Sequence, residues 1–175
     1  MTAELIIETT RLRLTRLTIR DAGAVFAYRS LPEICRFQSF RPAAVADAAA
    51  FIAGTADRPD IPGTWFQLGI FLREGQVLIG DIGVHFLPRG EAELGYTVTP
   101  SFQKRGYAAE AATAVISWLF RSPNRSCISC TIDPDNAPSL RLAKRLGLKP
   151  AGKSVHQELI FKIERGEWSA RGVPV

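Results

Sequence analysis

The chain has 175 residues, 46% of them hydrophobic and 22% charged, values that suit one folded domain with a full-sized core and exclude a disordered chain. No apolar run approaches the ~20 residues that span a bilayer, and Met1-Thr2-Ala3-Glu4 lacks the basic start and apolar core of a secretory leader, so a cytoplasmic chain without membrane segments is expected. The net charge of +5 favours anionic partners; with no zinc-finger spacing, long Lys/Arg block or aromatic-rich sheet signature, a cofactor carrying several phosphates is a better reading than nucleic acid.

Residues 9–17, Thr-Thr-Arg-Leu-Arg-Leu-Thr-Arg-Leu, alternate polar and apolar and predict a first strand with one wet face. Thr18-Ile19-Arg20-Asp21 resembles a capping box with Asp in the Glu position. It opens a helix with Ala24, Val25, Phe26 and Tyr28 on its apolar side, which stops before Pro32. Residues 33–42 carry no clear period, and Phe37 and Phe40 there are candidates for covering a substrate site. An alanine-rich helix is predicted over 45–56, with Phe51 and Ile52 inward, and the Pro- and Gly-bearing stretch 57–63 breaks it. Strands over 65–73 and 76–86, joined by Glu74-Gly75, read as a hairpin. Gly80 and Gly83 mark a bulge or a close neighbour in the second of them.

Pro88-Arg89-Gly90-Glu91 turns the chain into the stretch that organises the rest. Leu94, Tyr96 and Val98 alternate with Glu93, Gly95 and Thr97, a half-buried strand. From Tyr107 to about Phe120 the composition is that of a helix, rich in Ala with Val115, Ile116 and Leu119. Between them, Gln103-Lys104-Arg105-Gly106 opens directly onto the helix start. A helix N-terminus leaves its first N–H groups unpaired and carries partial positive charge, so it binds anions, phosphates above all. Gly106 lets the backbone approach the anion without a Cβ in the way, and Lys104 and Arg105 add full charges. The loop is suited to a pyrophosphate.

Ser122-Pro123-Asn124-Arg125 turns into a strand over 126–132. Cys127 and Cys130 form a C-x-x-C within it, but residues three apart on a strand face opposite ways and cannot share a metal or a bond. Three cysteines in total also argue against a disulfide framework. No metal site is expected. A helix over 139–146 follows, with Pro138 at its start and Gly147 just past its end, and two last strands are predicted over 151–156 and 158–165. No repeat or linker divides the chain, so residues 1–175 read as a single domain.

Gln103-Lys104-Arg105-Gly106-Tyr107-Ala108 resembles the Gln/Arg-x-x-Gly-x-Gly/Ala signature of the GNAT superfamily of acetyl-CoA-dependent N-acetyltransferases. Ala108 stands where many relatives have glycine. The order of predicted elements is also similar to that fold over nearly the whole chain, from Thr10 to about Trp168. The resemblance implies an α/β (α+β) fold with a mixed, mainly antiparallel sheet of about seven strands flanked by helices. It also implies that the strands splay apart after the fourth to admit the pantetheine arm of acetyl-CoA. Thr10-Arg11-Leu12-Arg13-Leu14, Asn136-Ala137-Pro138-Ser139-Leu140 and the segment from Leu146 to Leu148 are most similar to the branch that acetylates ribosomal-protein N-termini. The typical tail of that branch, an apolar strand ending in Glu-Trp, resembles residues 160–168.

On that resemblance the cofactor binders are Val98, through its backbone, then Gln103, Arg105, Gly106, Tyr107 and Ala108 at the pyrophosphate, and Asn136 on the pantetheine arm. Lys104 is left either to the 3′-phosphate or to solvent. Acetyl transfer needs a neutral amine, a polarised carbonyl and a stabilised leaving thiolate, and no Ser/His/Asp set here calls for a covalent route. Glu93 is the first candidate base, acting through water; Asp81, His85 and Glu91 are its rivals, and a plain strand-end carboxylate is the alternative. Ser139 is the candidate near the thiolate, although Asn136 and Ser139 also suit a helix cap. The acceptor is a primary amine, on a protein N-terminus or a small molecule, with 31–40, 57–65 and 88–91 as the expected pocket walls. A non-catalytic acyl-CoA sensor on the same fold is the rival reading, and a homodimer is an expectation from the resemblance alone.

Overall fold

Strand alternation and helix amphipathicity meet in a single sheet with helices on both faces. In the computed structural model, which describes residues 5–172, the sheet has eight strands. These are β1 (Ile6–Glu8), β2 (Leu12–Arg16), β3 (Trp65–Leu72), β4 (Leu78–Phe86), β5 (Glu91–Val98), β6 (Cys127–Ile132), β7 (Lys149–Lys153) and β8 (Leu159–Glu164). Their order across the sheet is β1-β2-β3-β4-β5-β6-β8-β7, and every pairing is antiparallel except β5 with β6. The helices are α1 (Ala22–Arg29), α2 (Pro32–Cys35), α3 (Val45–Ala53), α4 (Tyr107–Arg121), α5 (Ala137–Arg145) and α6 (Arg165–Ser169). Among the described residues no helix is long and apolar enough to cross a membrane. Met1 to Glu4, on which the leader expectation rests, lie outside the described residues.

The pleat sorts side chains onto two faces. Phe66, Leu68 and Ile70 of β3, Ile82 and Val84 of β4 and Leu94 and Val98 of β5 point to one face, where Ala112, Val115, Ile116 and Phe120 of α4 close the larger core. A fully buried Phe or Ile contributes roughly 1.5–3 kcal/mol, so this layer dominates stability. The other face is covered only over its first strands, by α1 and α3, through Leu17, Val25, Tyr28, Ala48 and Ile52. Further along this face His85, Glu93 and Thr131 stay partly exposed.

The mixed, mainly antiparallel sheet agrees with expectation, and four details differ. The strand predicted over 9–17 is β2, which begins only at Leu12 after a turn in which Thr9 Oγ1 donates to Glu110 Oε1 at 2.6 Å, and β1 (Ile6–Glu8) precedes that turn as a further strand. The sheet therefore has eight strands rather than about seven. The segment 33–42 begins with a turn of helix, α2, and α3 ends at Ala53 with Gly54 capping it, three residues short of the predicted end. The helix predicted over 139–146 starts at Ala137, because Asn136 is its N-cap. The last strands run 149–153 and 159–164, and the tail ending in Glu-Trp is the short helix α6, whose Trp168 is buried and donates Nε1–H to Ser117 Oγ at 3.2 Å.

Candidate functional site

β5 and β6 pair only at Glu91↔Cys127, Ala92↔Ile128 and Glu93↔Ser129, and beyond Glu93 the two strands part. The splay expected after the fourth strand is here, after β5, because the edge strand β1 adds one ahead of the predicted strands. Thr99 N–H bonds the Ile79 carbonyl at 2.8 Å, which places residues 99, 97, 95 and 93 of β5 in bonding register with β4. The N–H and C=O of Leu94, Tyr96 and Val98 consequently face the gap. This is an open strand edge inside the molecule, about 17 Å from Glu93 to Val98 at strand rise.

The predicted phosphate loop lies at the open end of the gap. Lys104 (φ +61°) and Gly106 (φ +83°) both take left-handed conformations, and Gly106 is the N-cap of α4. Among the described residues no carbonyl accepts from the amides of residues 104–109; the first bond of the helix is Glu110 N–H to the Gly106 carbonyl, 3.0 Å. Consecutive free amides around left-handed turns form a concave anion nest. A Cβ on Gly106 would lie 3.4 Å from Arg11 Nη2. Arg11 braces the loop from β2's side: its Nη1 donates to the Arg105 carbonyl at 3.1 Å, its Nε to Glu110 Oε2 at 2.7 Å, and its guanidinium lies 4.3 Å over the Tyr107 ring. Burial works to raise the Glu110 carboxyl, but hydrogen bonds from Thr9 and the Arg11 amide and guanidinium outweigh it and hold the group below its ordinary range. Arg11 and Glu110 were not read as site residues; their only sequence signal was a cation in the first strand and an acid in the first helical turn.

The other predicted binders separate into two kinds. Arg105, Gly106, Tyr107 and Ala108 bring backbone amides to the nest, and the Lys104 and Arg105 side chains are exposed. Gln103 instead ties the loop to the strand, donating Nε2–H to the Val98 carbonyl at 2.8 Å. Val98 thus keeps its N–H toward the gap and gives its carbonyl to Gln103. Asn136 Oδ1 accepts from Ser139 N–H at 3.3 Å, so both act in the α5 cap. The Tyr96 hydroxyl spans the gap to the Ser139 carbonyl at 3.4 Å, a residue the alternation had assigned only to the core. Burial, with a smaller contribution from Cys130, pushes the Tyr96 phenol up to about 12 against the opposing bond to Ser139.

At the closed end of the gap stands Glu93. Its Oε1 accepts from Thr131 Oγ1 across the parting strands at 2.7 Å, and its Oε2 lies 3.9 Å from His85 Nδ1. The His85 ring stacks on Trp65 at 4.8 Å and 11°. Asp81 shares their face but is taken up by structural partners: it is wholly buried, accepts from Arg29 Nε at 2.9 Å and Gln67 Nε2 at 2.7 Å, and holds the Tyr28 hydroxyl. Glu91 pairs with Lys162 at 3.3 Å. The cysteines sit as expected on opposite faces of β6; burial, with Glu93 adding to it, pushes Cys130 up to about 12, and burial pushes Cys127 up to about 11, so both stay thiols.

All three of the expected acceptor walls are tied down by contacts of their own. Arg36, in the turn after α2, reaches Asp135 at 3.8 Å, and Phe40 stacks on Phe51 at 4.5 Å. Arg125 gathers the 57–65 and 88–91 loops, pairing with Asp60 and donating to the Glu91 carbonyl at 2.7 Å. A cavity of about 1340 Å³ runs along the outer side of α4; it touches Arg105 and Gly106 but not Glu93, Asn136 or Ser139. The strand gap, where the reactive groups converge, is the better candidate, because chemistry rather than volume defines a site.

Comparison with known proteins agrees with this geometry. Residues 11–149 match the family described as the acetyltransferase (GNAT) domain. The chain is 29% identical to the N-acetyltransferase YnaD of Bacillus subtilis, covering 93% of this chain and 99% of that one, and 32% identical to YoaA of the same organism over 84% of each. Among solved structures, a GNAT-family acetyltransferase from Bacillus anthracis superposes with a TM-score of 0.82 at 22% identity, covering 93% of this chain and 100% of that one. A candidate ribosomal-protein-serine acetyltransferase from Vibrio cholerae superposes at 0.78 and 24%, covering 94% and 99%.

Proposed function

The chain belongs to the GNAT acetyltransferase family, and on that premise we propose that it moves the acetyl group of acetyl-CoA to a primary amine by direct attack in a ternary complex. The observation that carries this reading is the gap between β5 and β6: an open strand edge with free amides at one end and Glu93 at the other. The amides of residues 104–109, with Lys104 and Arg105, suit the pyrophosphate. The edge of Leu94, Tyr96 and Val98 suits the amide-bearing pantetheine arm, which can bond to it as an extra strand would. Asn136, the N-cap of α5, is the side chain assigned to the arm in this reading.

Glu93 draws in the cationic amine and accepts its proton, directly or through water. A fixed carboxylate in this role contributes about 10²- to 10⁴-fold. Ser139, at the start of α5, steadies the leaving thiolate by a hydrogen bond. The acceptor is a protein N-terminus or a small amine. The reading includes a single N-acetyltransferase domain over residues 1–175, a cytoplasmic location, no nucleic-acid, membrane or metal requirement, and a homodimer as the assembly to test by light scattering.

The test is thiol release from acetyl-CoA against a panel of amines and N-terminal peptides, with Glu93→Gln in parallel. Turnover on one acceptor class, lost about 100-fold or more in the variant with acetyl-CoA affinity unchanged, is expected. Tight acetyl-CoA binding with no turnover on any acceptor would overturn the reading.

A further inference from the structure

The register across three strands makes a row that Glu93 alone does not account for. Trp65 of β3 lies opposite His85 of β4, which lies opposite Glu93 of β5, and Thr131 of β6 completes the row across the gap. We propose that His85 is a proton relay for the transfer, receiving from Glu93 the proton that the acceptor amine gives up, and that Trp65 holds the imidazole in line. This rests on Glu93 being the base.

The imidazole is fixed from one side by the indole, parallel to it within 11°. The indole in turn is seated over Gly83, where a Cβ would come 3.1 Å and 3.2 Å from its ring atoms and 2.6 Å from Gln67 Oε1. Glycine at this position is therefore what lets Trp65 lie flat against His85. On the acid side, Thr131 occupies Glu93 Oε1, leaving Oε2 to face His85 Nδ1 at 3.9 Å. That separation is too long for a hydrogen bond and is closed by one bridging water or a small side-chain rotation. Both side chains keep about a quarter of their surface in solvent, 24% for His85 and 27% for Glu93, so a proton can leave.

The transfer balances as follows. The amine nitrogen bonds to the acetyl carbon, the C–S bond breaks and the thiolate leaves with its electron pair. The amine's proton passes to Glu93 Oε2, from there to His85 Nδ1, and the proton on the other ring nitrogen goes to water. Imidazole suits the relay because it is the side chain whose ordinary titration lies nearest neutral pH. Among the described residues no other carboxylate lies within 4.0 Å of the His85 imidazole. β3 contributes Trp65 and Gln67, which carry no charge, while Asp81 along β4 is held by Arg29 and Glu91 along β5 by Lys162.

The protein has two histidines, so nuclear magnetic resonance of the imidazoles reads His85 with His156, exposed in the β7–β8 turn, as an internal reference. Glu93→Gln should move the His85 imidazole resonances and leave those of His156 in place. His85→Ala should cut kcat about 100-fold on the acceptor found in the panel, with acetyl-CoA affinity and the acceptor KM unchanged, and added imidazole should restore turnover saturably. If the alanine variant melts early, His85→Gln gives the same loss without the cavity. Unmoved His85 resonances in Glu93→Gln overturn the relay. Full kcat in His85→Ala beside an inactive Glu93→Gln also overturns it while leaving the base assignment standing. Full kcat in both variants overturns the base assignment itself.

Discussion

Asp81→Asn separates a structural carboxylate from a catalytic one. Asp81 is wholly buried and Arg29 is 5% exposed, and the pair ties α1 to β4 beneath the Phe51 ring, 5.0 Å from the guanidinium. Removing the charge leaves a buried cation facing an amide. Breaking a buried pair by taking away one partner costs about 3–5 kcal/mol, whereas replacing both partners by apolar groups is often nearly neutral. At about 2–4 °C per kcal/mol for a chain of this size, the midpoint of thermal unfolding should fall by roughly 6–20 °C. Asparagine belongs at the low end, since its one amide oxygen can still accept from Gln67 or from Tyr28, and alanine at the high end. The double variant Arg29→Met/Asp81→Leu should recover most of the loss. Circular dichroism melts give the midpoint, and thiol release measured well below it gives kcat. The expected result is a lowered midpoint with kcat largely kept. An unchanged midpoint with kcat abolished would refute the reasoning and return Asp81 to the proton-transfer chemistry.

Two further predictions concern the cofactor loop. Gly106→Glu places a side chain at φ +83°, which costs about 1–2 kcal/mol, and sets a carboxylate in the anion nest; calorimetry should find acetyl-CoA binding abolished, and unchanged affinity would sink the loop assignment. Glu110 is held below its ordinary value of 4.5, so its contribution to stability is complete above that range and is lost as pH falls through the lowered value. Glu110→Gln should therefore lower the melting midpoint at pH 7 and flatten its fall below about pH 4.5; an unchanged slope in that acid range would count against the Arg11–Glu110 brace.

Much of the site was legible because its signals are local. The change of period from two to helical around residues 93–120, with Gly106 and two cations between, marks an anion-binding helix start from chain chemistry alone. Asn136 and Ser139 were legible as cap residues for the same reason. Thr131 and Tyr96 were not, because a hydroxyl on one strand reaching a partner far along the chain leaves no periodic trace. Asp81 and His85 alternate identically along one strand, and nothing local distinguishes the carboxylate that α1 covers from the imidazole left open beside Glu93.

The sequence by itself determined the kinds of element, their order, the loop that cradles an anion and the family resemblance, because each depends on residues within a few positions of one another. Only the tertiary structure decided that the short first segment pairs as a separate edge strand, that β5 and β6 part after Glu93, and which acidic groups are used up by buried partners. These depend on register and packing between segments distant in the chain, where one face of a strand acquires its meaning from what lies across it.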